Sequence, residues 1–163
     1  MMNNLVLRRL RYALNLRESN MVEMFKLVDV TIKSTAVSAL LMREDQDGFV
    51  ECTDAVLTQF LDGMIIKHRG LAEGAKAPAP APDDARINNN MILKKIRVAL
   101  ELREEHLLEI MDKADFKFSK SEMSAFFRKP DSRQYKPCGD QMMRNFLMGL
   151  CEKNRPSEEV PES

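Results

Sequence analysis

A chain of 163 residues with 44% apolar and 31% charged side chains has enough material for a core, and its 25 basic and 25 acidic residues cancel. Zero net charge argues against wholesale electrostatic wrapping of nucleic acid, though not against a local patch. Arg8, Arg9 and Arg11 break the apolar stretch a signal peptide would need, and no run approaches the ~20 apolar residues of a membrane helix. Cys52, Cys138 and Cys151 are an odd set of three, which suits reduced thiols in a cytoplasm better than a disulfide framework.

Sliding the chain by 86 positions aligns Asn3–Arg69 with Asn89–Arg155 without a gap, and 21 of the 67 pairs are identical. Asn3-Asn4 falls on Asn89-Asn90, Ala13–Glu18 on Ala99–Glu104, and Cys52, Asp54, Phe60, Leu61 and Gly63 on Cys138, Asp140, Phe146, Leu147 and Gly149. An ungapped match of this length marks a tandem duplication. The expected organisation is a repeat over 3–70, a Pro/Ala linker over 71–87, a second repeat over 88–155 and a disordered acidic tail over 156–163. In the linker Pro78, Pro80 and Pro82 alternate with alanine, which blocks helix continuation and favours an extended, semi-rigid spacer.

Each copy reads as a four-helix unit. The first helix is expected to start after an asparagine cap, Asn4 or Asn90, and to bury Leu7, Leu10 and Leu14 or Leu93, Ile96 and Leu100. The second is expected over Met21–Val28 and Leu107–Ala114, with Asn20 as cap and Glu23 at capping-box spacing. The third is expected over Ser34–Arg43 and Lys120–Lys129. There Ser119 with Glu122 forms a capping box, and Pro130 is expected to end the second copy's helix. The fourth begins at Asp54 or Asp140 and buries Leu57, Phe60, Leu61 and Met64, or Met143, Phe146, Leu147 and Leu150. Nothing alternates at period two, so the fold class is all-α. Two ~67-residue units have marginal cores, so the repeats are expected to pack pseudo-symmetrically.

The paired Asn-Asn starts, the two Ala-Leu-x-Leu-Arg-Glu stretches, Arg86–Asn90 after the linker and Cys138-Gly139-Asp140-Gln141 resemble the YehS-like family. That is a bacterial group of two-repeat proteins classed as a domain of unknown function. The resemblance implies a bacterial cytoplasmic protein and supplies no activity or site residue.

No catalytic, metal or cofactor constellation is expected. His68 and His106 do not recur between the copies. Cys52 and Cys138 do recur near a helix start, where a thiol can become reactive, but no basic partner recurs beside them and packing is the simpler role. Asp45–Val50 resembles the middle of a calcium loop, but the first ligand would be Arg43. Gly63 and Gly149 inside the fourth helix suggest a close helix approach, since a helical glycine costs about 1 kcal/mol against alanine.

Two surfaces remain. A helix-turn-helix reading of the second copy would use Lys117, Lys120, Ser121, Ser124 and Arg128 to contact nucleic acid, but the connection is long for that motif. Residues 27–50 hold two basic and four acidic side chains, whereas 113–136 hold seven and three. A symmetric DNA reader would not make one recognition surface acidic. The difference instead suggests complementary surfaces. Glu44, Asp45, Asp47 and Glu51 would form one, and Arg128, Lys129, Arg133 and Lys136 the other, orienting repeats or copies of the chain. The recurrent cations of helix one, Arg8, Arg9 and Arg11 with Lys94, Lys95 and Arg97, could also meet anions. The function expected is a non-enzymatic helical binding or scaffold protein with a protein partner or self-association as a homodimer, and no membrane. The alternative is a nucleic-acid-binding regulator using the second copy.

Overall fold

A computed structural model describes residues 2–76 and 79–155. Pro78 and the tail expected over 156–163 lie outside the described residues. The chain forms α1 (Met2–Ala13), α2 (Glu18–Lys26), α3 (Ser34–Leu40), α4 (Asp54–Arg69), α5 (Asn89–Leu100), α6 (Glu104–Lys113), α7 (Lys120–Ala125) and α8 (Asp140–Asn154). No strand occurs among the described residues. The all-α duplication stands.

Helix boundaries differ from the sequence reading for identifiable reasons. α1 starts at Met2, which puts Asn4 inside the helix, and Asn88 rather than Asn90 caps α5 by accepting from Met91 N at 2.9 Å. α2 and α6 start earlier than expected, after Arg17 and Arg103. Asn20 therefore sits three residues into α2 and takes the Arg17 N–H at 2.8 Å, while His106 Nδ1 takes the Arg103 N–H at 2.9 Å. His106 thus substitutes for an amide in a capping role. α3 and α7 stop three and four residues early, respectively. The carbonyls of Ala39 and Ala125, which would continue those helices, accept instead from Val50 N at 3.2 Å and Lys136 N at 3.1 Å on the returning loop. Pro130 therefore lies beyond the end of α7 and does not terminate it.

The returning loop is held by the duplicated asparagines. Asn4 Nδ2 donates to Leu40 O and Val50 O, both at 2.9 Å, and its Oδ1 accepts from Cys52 N at 2.9 Å. Asn90 does the same with Phe126 O, Lys136 O and Cys138 N. Asn3 and Asn89 clip the start of the last helix, each donating to a cysteine carbonyl at 3.1 Å and to Asp54 or Asp140 at 2.8 Å. A buried amide needs such partners, and a loop with exposed backbone needs such an anchor.

The two repeats interlock rather than merely touch. α4 packs on α5 and α8 packs on α1, so the first helix of each repeat lies on the last helix of the other. Contacts between helices one and four within a repeat are weaker. A single buried core runs through both, from Leu7, Leu10, Phe25 and Phe60 to Ile96, Ile110, Phe146 and Leu150. Equivalent polar contacts close the seams: Arg155 Nη1 donates to Tyr12 O at 3.0 Å and Arg69 Nη1 to Val98 O at 3.3 Å. The guanidinium of Arg155 also lies 4.3 Å over the Tyr12 ring. The part of the linker after residue 78 is tied to α4, through Gln59 Nε2 to Ala81 O at 3.1 Å and Ile87 N to Asp54 at 3.3 Å.

The helical glycines do mark close approach. A Cβ on Gly63 would overlap Met24 O of α2, and one on Gly149 would overlap Ile110 O of α6.

Candidate functional site

The same place in each repeat carries a cleft, between the first helix and the returning loop. In repeat 1 a volume of about 530 Å³ is lined by Met2, Leu5, Arg8, Arg43, Glu44, Asp45 and Arg144. A neighbouring hollow of about 270 Å³ shares Leu5 and Arg8 and adds Arg9, Arg11, Tyr12, Glu18 and Leu41. In repeat 2 a cleft of about 240 Å³ is lined by Met91, Lys94, Phe126, Phe127, Lys129, Pro130 and Tyr135, among others. Under the 86-residue offset Leu5 corresponds to Met91, Arg8 to Lys94, Arg43 to Lys129 and Glu44 to Pro130. Cations hold two matching positions, while the rest of the lining has diverged, with Glu44 and Asp45 in one and Phe126, Phe127 and Tyr135 in the other.

Local structure positions these groups. Arg8 projects from α1 and donates Nη1 to Met42 O at 3.1 Å, which fixes its guanidinium against the start of the loop. Burial first, then the charges of Arg43 and Arg9, push the Arg8 pKa down, the signature of cations crowded in a partly dry place. In repeat 2, Arg97 lies 4.5 Å over the Phe127 ring and Lys136 lies 5.8 Å over Phe126. Phe116, Phe118 and Phe126 form a row with centroids 6.5 and 6.1 Å apart, and Phe116 is 43% exposed. Their counterparts in repeat 1 are Val30, Ile32 and Leu40.

The structure brings some of the sequence-predicted residues together and scatters others. Arg128 and Lys129 line the repeat 2 cleft, and Glu44 and Asp45 line that of repeat 1. Lys117, Lys120, Ser121, Arg133 and Lys136 are exposed around α7 and its loops, and Asp47 and Glu51 are exposed on the first repeat's loop. Ser124 is half-buried and donates to Ser121 O at 3.2 Å. α7 has six residues, about 9 Å at 1.5 Å per residue, too short to lie along a major groove as a recognition helix does. Sequence reasoning missed Leu5, Tyr135 and Arg144. The recurrence of Arg8 and Arg43 as cations was the available signal for the cleft.

The cysteines are packing groups. Cys52, Cys138 and Cys151 are all buried, and burial pushes their thiols up to about 12, about 11 and about 11. The Cys151 thiol donates to Arg9 O at 3.4 Å across the seam between α1 and α8. Native thiolate is therefore scarce at neutral pH, and disulfide-reagent labelling should run on the order of a hundredfold slower in the folded chain than in denaturant. Fast labelling of Cys52 and Cys138 in the native state would overturn this. The same shifts favour the folded chain's protonated thiols. The stabilisation is complete below about pH 9 and is lost as the pH rises toward 11–12.

His68 is exposed near the end of α4. Among the described residues no group of three or more His, Cys, Asp or Glu side chains is placed to hold a metal, and no helix is long and apolar enough to cross a membrane.

Fold and clefts together define a duplicated all-helical protein with interlocked repeats. The chain belongs to the family described as Protein of unknown function (DUF1456), which matches residues 3–70 and 89–155. It is 38% identical over 153 residues to the Uncharacterized protein YehS of Escherichia coli (strain K12), a match covering 94% of this chain and 96% of that one. No solved structure matches the chain significantly.

Proposed function

We propose that the chain is a non-enzymatic binding protein of the reducing cytoplasm, whose repeat 2 cleft receives a side chain of a protein partner. The observation that carries this reading is the cleft that recurs at one place in both repeats, with cations at two equivalent positions. The repeat 2 cleft is lined by apolar Met91, Phe126 and Phe127 and by the cations Lys94, Arg128 and Lys129. That combination suits an apolar anchor flanked by acidic groups. Buried, protonated thiols and the capping duty of His106 commit these four side chains to structure.

The test is affinity capture from a native bacterial lysate, comparing the wild-type chain with Tyr135→Ala and Lys129→Glu and with the distant surface control Glu105→Lys. A partner protein retained by wild type and control but lost from both cleft variants is expected. Identical capture by all four chains would contradict the reading.

A further inference from the structure

Three of the cation pairs retained in both copies serve the fold. Lys67 and Lys153 pair with Glu23 and Glu109 at 3.6 Å, and Arg69 and Arg155 hold carbonyls across the seams. Lys95 pairs with Asp62 of the other repeat, and its counterpart Arg9 is buried in a seam. Arg8 with Lys94 and Arg43 with Lys129 share a different feature, the cleft that each pair lines.

We propose that the repeat 1 cleft is a binding site for a compact multivalent anion of the phosphate or polycarboxylate class, held by Arg8, Arg43 and Arg144. The proposal rests on the cleft reading above and gives its first cleft a ligand chemistry. Three guanidinium groups reach this cleft from α1, from the loop after α3 and from α8 of the other repeat. Planar guanidinium forks match phosphate and carboxylate oxygens two at a time. Arg8 Nη1 is held by Met42 O, and its Nε is buried with no hydrogen-bond partner among the described residues. Arg144 makes no ion pair among those residues. The position equivalent to Arg144 in repeat 1 is Thr58, so the third cation belongs to this cleft alone.

Glu44 and Asp45 line the same cleft, so a ligand there meets three guanidinium groups among two carboxylates. A volume of about 530 Å³ suits a small molecule. Because α8 supplies one wall, the site exists only when the repeats are docked.

The experiment is isothermal titration of the full chain at low salt with inorganic pyrophosphate, with citrate, and with a single-stranded oligonucleotide of roughly 20 residues as the polymer arm. Saturable binding of pyrophosphate or citrate is expected, and the tighter of the two identifies the class. Arg144→Gln, at an exposed position, should leave the melting temperature unchanged and weaken that binding about tenfold, while Lys129→Gln in the other cleft leaves it unchanged. The proposal is overturned by a wild-type chain that binds neither anion, by binding indifferent to Arg144→Gln, or by an oligonucleotide that binds tightest and is weakened by Lys129→Gln. Loss of the anion result with partner capture intact refutes the ligand chemistry alone. Loss of capture as well refutes the cleft reading.

Discussion

Replacing Gly63 or Gly149 with alanine should destabilise the chain by about 3 kcal/mol, despite alanine's advantage of about 1 kcal/mol in a helix interior. The new methyl would overlap a backbone carbonyl, Met24 O or Ile110 O, and backbone cannot rotate away as a side chain can. The last helix of each repeat would have to lift from the second. At the size of this chain the loss corresponds to a fall in melting temperature of roughly 6–12 °C. Gly139→Ala is the internal control, because a Cβ there meets nothing within 4 Å. Gly139 caps α8, where glycine is preferred to alanine, so this variant should cost about 1 kcal/mol at most, well below the other two. Thermal unfolding of the three variants checks the prediction, and a neutral Gly63→Ala would contradict the close approach.

Asn4→Ala should cost about 3–5 kcal/mol, and Asn90→Ala a similar amount, because each amide answers three buried or half-buried backbone groups at once. Removing Asn4 leaves Leu40 O, Val50 O and Cys52 N without their partner, and the loop that forms the cleft wall loses its anchor. Asn4→Asp keeps the shape and the acceptor for Cys52 N but loses both donations and buries a carboxylate, so it should be no better than alanine. Asn3→Ala, which removes two contacts from a half-buried side chain, should cost about 1 kcal/mol. Denaturant unfolding ranks the series. An Asn4→Ala loss no larger than that of Asn3→Ala would contradict the anchoring role.

These two predictions also show what could be read without coordinates. The glycines were legible because an unfavourable residue at the same helical position in both copies needs a steric reason. The helices were legible from periodicity, and the duplication from an ungapped repeat. The asparagines were misread as caps because their partners lie 36 to 48 residues away, beyond any local pattern. The helix ends were misplaced for the same reason, since the returning loop takes the carbonyls of Ala39 and Ala125. The clefts were half legible. The cations of helix one and the charge contrast of the loops stood out, but Arg43 read only as a residue that spoils a calcium loop. Arg144 joins the cleft from the other repeat, through packing that no single repeat encodes.

The interlocked arrangement is the basis of the whole account, because the repeat 1 cleft needs a wall from repeat 2. The chain has two tyrosines and no tryptophan, and Tyr12 and Tyr135 place one fluorescent reporter in each repeat. Chemical unfolding of Tyr12→Phe and Tyr135→Phe therefore follows the repeats separately. If the seams of α4 with α5 and α8 with α1 form one core, a single cooperative transition is expected within each variant by fluorescence and circular dichroism alike. Tyrosine fluorescence that loses its structure at a different denaturant concentration from the helical signal, in either variant, would show repeats that unfold independently and would contradict the account.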